Sequence, residues 1–134
     1  MKKLREILLI DDSRGTNSLN ERLLIEMGVV EKVTIALDGS LALDYLLTKN
    51  EVDEFPSPDI IFLDINMPVM NGFQFLNEYN KLGKERQLVM VIVMINDSYS
   101  DSYMNEVKGY NAVKGCQFKP LTKEKVKGFI AQFI

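Results

Sequence analysis

Largely apolar runs recur along the chain at 7–10, 33–36, 60–63, 89–95 and 115–118, each shorter than a typical helix and bounded by polar or turn residues. That pattern predicts five strands. Their hydrophobicity is unbroken rather than alternating, the habit of strands covered on both faces in a parallel sheet with helices above and below. The segments between them repeat at helical spacing. Leu19, Leu23 and Met27 precede Gly28; Leu41, Tyr45 and Leu46 follow Ser40; Phe75, Tyr79 and Leu82 precede Gly83. Each trio predicts a helix with one apolar stripe. In 122–134, Val126, Phe129, Ile130 and Phe133 share a face behind Thr122, a suitable N-cap. The segment 101–108 is the poorest helix former, because Ser, Asn and Tyr dominate it and its apolar face is thin.

Five strand–helix units of about 25 to 30 residues each account for the whole chain. The expected fold is α/β, a doubly wound five-stranded parallel sheet, and the expected organisation is one domain over 1–134 with no output domain. The loop 50–58, with Pro56 and Pro58, reads as a surface connector without chemistry.

Composition narrows the function. A chain of 134 residues, 46% hydrophobic and 26% charged, can bury one core. Its net charge of -3 opposes a duplex-binding footprint, so no direct nucleic-acid contact is expected. The one cysteine, Cys116, cannot form an intrachain disulfide, which suits a reducing compartment and predicts a cytoplasmic protein. The first apolar run stops at two aspartates, too short for a signal-peptide core, and 88–95 is far below the ~20 residues that cross a bilayer. There is no histidine, so any phosphohistidine chemistry must come from a partner.

In doubly wound sheets, ligands sit outside the carboxyl ends of the strands. Three of the apolar runs end in charge there: Asp11 and Asp12 after the first, Asp64 after the third, Lys119 after the fifth. In a 2-1-3-4-5 strand order the first and third strands are neighbours about 4.8 Å apart, which brings the three carboxylates into one pocket. Such crowding is relieved by protonation or by a cation, and an all-oxygen cluster suits Mg²⁺ where phosphate also binds. Lys119 supplies a compact charge for a phosphoryl oxygen, and Asp64 is the best-placed carboxylate nucleophile for an aspartyl phosphate. Any single aspartate in this position is more simply a helix cap, a role Ser13 or Asn17 could share. The constellation of four charged residues at three strand ends outweighs that reading.

The chain resembles a response-regulator receiver domain of the chemotaxis-regulator, stand-alone type over its full length. The residues that carry the resemblance are Asp11-Asp12, the segment from Asp64 through Ile65, Asn66, Met67, Pro68, Val69, Met70 and Asn71 to Gly72, the Asp38-Gly39-Ser40 turn, and Lys119-Pro120. The resemblance implies a flavodoxin-like three-layer sandwich. It also implies a two-component phosphorelay role in which Asp64 accepts phosphate from a histidine kinase or histidine phosphotransfer protein. Asp12, Asp64 and the backbone carbonyl of Asn66 would ligate Mg²⁺, Asp11 would act largely through water, and Lys119 would contact the phosphoryl group. The Lys119-Pro120 peptide is often cis in this family. Signalling would then run through contacts with an unknown downstream protein.

Two positions depart from the family pattern, both in its switch. Asn96 stands where Thr or Ser usually ends the fourth strand, with Ser98 as a substitute donor, and Cys116 stands where the family has an aromatic ring. The departures keep a second reading open, a receiver-like binding module that no longer switches. Tyr99, Tyr103 and Tyr110 read as partial packing residues, Cys116 as a small core filler with only Lys114 as a nearby cation, and the seven methionines as packing. A flavin protein would want a Ser/Thr-Gly phosphate loop after the first strand, and a phosphatase a second acid where Asn66 stands.

Overall fold

The computed structural model describes residues 3–82, 90–95 and 101–133. Five strands, β1 (Leu4–Ile10), β2 (Val30–Ala36), β3 (Ile60–Asp64), β4 (Met90–Ile95) and β5 (Val113–Phe118), alternate with α1 (Arg14–Met27), α2 (Gly39–Leu46), α3 (Gly72–Asn80), α4 (Asp101–Lys108) and α5 (Lys123–Phe133). All ladders are parallel, in the order β2-β1-β3-β4-β5.

The unbroken apolar runs resolve into two faces with the two-residue period of a strand. Leu8 and Ile10 of β1, Ile61 and Leu63 of β3, and Val91, Val93 and Ile95 of β4 pack with Ala42, Leu46, Phe75, Tyr79 and Val107 from α2, α3 and α4. Ile7, Leu9, Ile60, Phe62, Ile92 and Met94 face the other way, onto Leu24 of α1 and Val126, Phe129 and Ile130 of α5. Double burial holds for β1, β3 and β4. It fails for β2 and β5, which are the sheet's edges: Ile35 is 39% and Phe118 44% exposed. β1 also starts before its apolar run, because Leu4 pairs with Val30 and carries polar Arg5 and Glu6 into the ladder.

Helix ends follow their local chemistry. Ser13 caps α1 by accepting from Thr16 N at 3.2 Å, and Gly28 ends it at φ 68°, a conformation glycine adopts without strain. Asp38 caps α2, Asn71 and Gln74 form a capping box on α3, and Thr122 accepts from Lys125 N at 3.3 Å at the start of α5.

The stripes differ from expectation on two helices. Leu23 and Met27 of α1 and Tyr45 and Leu46 of α2 pack on the core as expected, but Leu19 is 68% and Leu41 49% exposed, and the buried positions include Asn17 and Leu24 on α1 and Ala42 and Leu43 on α2. The reason on α1 is a hydrogen bond: Asn17 Nδ2 donates to the Asp11 carbonyl at 2.8 Å, so a polar residue takes the innermost place and Leu19 is turned outward. The stripe of α3 is as expected, with Phe75 and Tyr79 buried and stacked at 5.7 Å. The segment 101–108, the poorest helix former by sequence, is helical and anchors through buried Val107.

Candidate functional site

The register of the central ladders places the charged residues. Ile10 pairs with Leu63, so Asp11 and Asp64, the next residue on each chain, emerge level with each other. Asp11 and Asp64 are buried, Asp12 is exposed, and ligand oxygens of all three lie within 4.8 Å of one another. Lys119 reaches across from the end of β5: its Nζ donates to Asp11 Oδ2 at 2.9 Å and stands 3.2 Å from Asp64 Oδ1. The remaining Asp11 oxygen accepts from Ser13 N at 2.9 Å, and the backbone N–H of exposed Asn66 donates to the Asp64 carboxylate.

These surroundings shift the charges. Burial raises the Asp64 carboxyl above its ordinary range, and the Asp11 charge raises it further, against the opposing pull of Lys119 and the Asn66 N–H. Burial would lower Lys119, but its hydrogen bond to Asp11 and the charges of Asp64 and Asp11 hold it above the usual lysine range, so it stays an ammonium. Three carboxylates against one ammonium leave the cluster short of positive charge. The donor set fits a hard divalent ion: opposite oxygens around Mg²⁺ are about 4.2 Å apart, close to the span observed.

The loop after β3 is held on both sides. Gly72 N donates to Ile65 O at 2.8 Å and Gly39 N to Met70 O at 3.0 Å. A Cβ on Gly72 would stand 2.8 Å from Asp64 O and from Ile65 Cα, and one on Gly39 would stand 2.9 Å from Met70 Cγ. Both positions therefore require glycine. Val69, at the tip, sits at φ 67°, a costly conformation for a β-branched residue. Across the pocket, Lys125 Nζ donates to Phe118 O at 2.6 Å and Pro120 O at 2.9 Å, bracketing Lys119, whose peptide to Pro120 is cis.

The residues predicted for the site thus converge, apart from the switch. Asn96 and Ser98 lie outside the described residues, as does Tyr99. Cys116 is half-buried beside Val93 and packs against the α2–α3–α4 core; burial raises its thiol, and the cation it feels is Lys108 of α4 rather than Lys114. Tyr110 packs on the same core and donates to Asn77 Oδ1 at 2.7 Å. Three features had no sequence reading: Asn17 as the anchor of Asp11, Lys125 as the clamp on the Lys119 loop, and Glu6, which accepts from Thr34 Oγ1 at 2.6 Å and from the Tyr45 hydroxyl. No local signal marked Glu6 or Asn17: Glu6 lies with Arg5 ahead of the first apolar run, and the burial of Asn17 is set by packing.

This fold and this acidic pocket define a receiver-type signalling module. The family model for the response regulator receiver domain matches residues 7–131, and the chain belongs to that family, the receivers of two-component response regulators. It is 31% identical over 129 residues to protein PilG of Pseudomonas aeruginosa, covering 93% of this chain and 84% of PilG. It is 33% identical over 97 residues to a protein-glutamate methylesterase/protein-glutamine glutaminase of Desulfotalea psychrophila, covering 72% of this chain but only 24% of that enzyme. The crystal structure of a two-component response regulator from Cytophaga hutchinsonii superposes with a TM-score of 0.86 at 25% identity, covering 98% of both chains. Receiver domains bind Mg²⁺ through an acidic pocket and are phosphorylated by histidine kinases or phosphotransfer proteins. No helix among the described residues is long and apolar enough to cross a membrane.

Proposed function

We propose that Asp64 is the phosphoacceptor of a cytoplasmic phosphorelay, charged by a partner's phosphohistidine in a Mg²⁺-dependent reaction. The observation that supports this most is the bonding of Lys119 to two buried carboxylates, Asp11 and Asp64, beside the exposed Asp12. In the reaction, a carboxylate oxygen of Asp64 forms the new O–P bond while the P–N bond to the partner imidazole breaks, the electron pair leaving with nitrogen. Asp11, Asp12, Asp64 and the Asn66 carbonyl would hold Mg²⁺, which supplies charge neutralisation at the phosphoryl oxygens. Lys119 would exchange its contact with Asp64 for a phosphoryl oxygen while keeping Asp11, so its ammonium stays aimed at the new anion. Residues 1–134 act as one receiver unit whose output passes by protein–protein contact.

Intact-mass measurement with a small phosphodonor such as acetyl phosphate tests the reading. A Mg²⁺-dependent adduct of one phosphoryl group is expected on the wild type and absent from Asp64→Ala. No adduct on the wild type, or an undiminished one on the variant, refutes it. Half-buried Cys116, where the family pattern has a ring, favours one alternative, a receiver that binds partners without switching. Identical amide spectra with and without beryllofluoride would support that alternative.

A further inference from the structure

The first turn of α5 runs against helix electrostatics. It carries Lys123 and Lys125 around a single Glu124, although cations there meet the positive end of the helix dipole. Lys125 is half-buried, and its side chain turns back toward the strand before the helix. Its Nζ donates to Phe118 O at 2.6 Å and to Pro120 O at 2.9 Å, the carbonyls of the residues on either side of Lys119. Two charge-assisted bonds offset the unfavourable place in the dipole.

β5 is an edge strand, so no further strand holds 118–120 from outside. On the inner side, Lys119 N donates to the carbonyl of Ile95, the last residue of β4, at 2.8 Å. The root of the Lys119 side chain is thus fastened to the sheet by its own N–H and to α5 through both neighbouring carbonyls. From that root a flexible four-carbon stem carries the ammonium to Asp11 Oδ2 at 2.9 Å and Asp64 Oδ1 at 3.2 Å. We propose that Lys125 is a positioning residue for phosphoryl transfer at Asp64: by pinning the carbonyls of Phe118 and Pro120, it keeps the Lys119 ammonium aimed at the pocket. The inference rests on Asp64 being the phosphoacceptor. Lys125 acts only through Lys119 and touches none of the three aspartates.

Three variants of the intact chain test it. Lys125→Met keeps the stem and removes the ammonium, Lys125→Arg keeps donors able to span both carbonyls, and Lys123→Met removes the same charge from the neighbouring exposed lysine. Adduct formation from acetyl phosphate with Mg²⁺, followed by intact mass, should slow about tenfold in Lys125→Met, since misplacing a reacting group by a fraction of an ångström has costs of that order. Lys125→Arg should recover most of the rate, and Lys123→Met should stay near the wild type. NMR order of the Lys119 side-chain ammonium, measured without Mg²⁺ or phosphodonor, should fall in Lys125→Met alone. A wild-type rate in Lys125→Met, an equal loss in Lys123→Met, or unchanged Lys119 order would overturn the positioning role while leaving Asp64 as the acceptor. Absence of an adduct on the wild type would sink both readings.

Discussion

The Lys119 ammonium stands 3.2 Å from Asp64 Oδ1 while donating to Asp11 Oδ2 at 2.9 Å, so one side chain from the end of β5 joins the ends of β1 and β3. Removing it strands two buried carboxylates. Lys119→Met should lower metal-free stability at pH 7 by about 2 kcal/mol, and Mg²⁺ should restore part of the loss. Urea unfolding with and without the ion measures both effects.

The raised carboxyl of Asp64 fixes a sign. A folded-state pKa above the unfolded value of 3.8 means that the native state holds its proton to higher pH. Stability from this group is therefore present below pH 3.8 and lost as pH rises through the folded pKa. Asp64→Asn should stabilise the metal-free protein at neutral pH, with the gain vanishing toward acid. A gain that grows on acidification contradicts the burial and Asp11 repulsion assigned to this site.

Mg²⁺ should raise the melting temperature, with stability growing as the logarithm of the free ion above Kd and reaching about 2.7 kcal/mol at a hundredfold excess. Asp12→Ala should weaken that response with little cost to the metal-free fold, since Asp12 is exposed and bonds nothing among the described residues. Calorimetric melts across a Mg²⁺ series separate the two.

Gly72→Ala should cost about 1 to 3 kcal/mol and weaken Mg²⁺ binding together, because its Cβ would stand 2.8 Å from Asp64 O and from Ile65 Cα and push on the segment that presents Asp64. Normal metal affinity in a destabilised variant would separate the loop's packing from the site's geometry.

Val69→Asn should do the opposite. Val69 is 83% exposed, so the valine buries almost nothing, yet it holds φ at 67°, which asparagine tolerates far better. A gain of about 1 kcal/mol in chemical denaturation is expected.

Much of this architecture is legible in the amino-acid sequence, because its signals are local. Runs of apolar residues interrupted by helical spacing specify five βα units, and charge at the end of three runs marks Asp11, Asp12, Asp64 and Lys119. Where local periodicity misled, a nonlocal contact had intervened. Leu19 lies on the predicted stripe of α1 but faces solvent, because the bond from Asn17 to the Asp11 carbonyl sets the helix's rotation. Edge exposure of β2 and β5 follows from strand order, which a run's hydrophobicity does not encode.

The sequence by itself determined the element types, the acidic residues and the lysine that follows the fifth run, since side-chain period and residue chemistry are properties of short stretches. Only the tertiary structure decided that Asp11 and Lys119, 108 positions apart, share a hydrogen bond. It alone also left Asn17 with an unmet acceptor. Both depend on strand register and helix rotation, which are settled by packing among distant parts of the chain and leave no local trace.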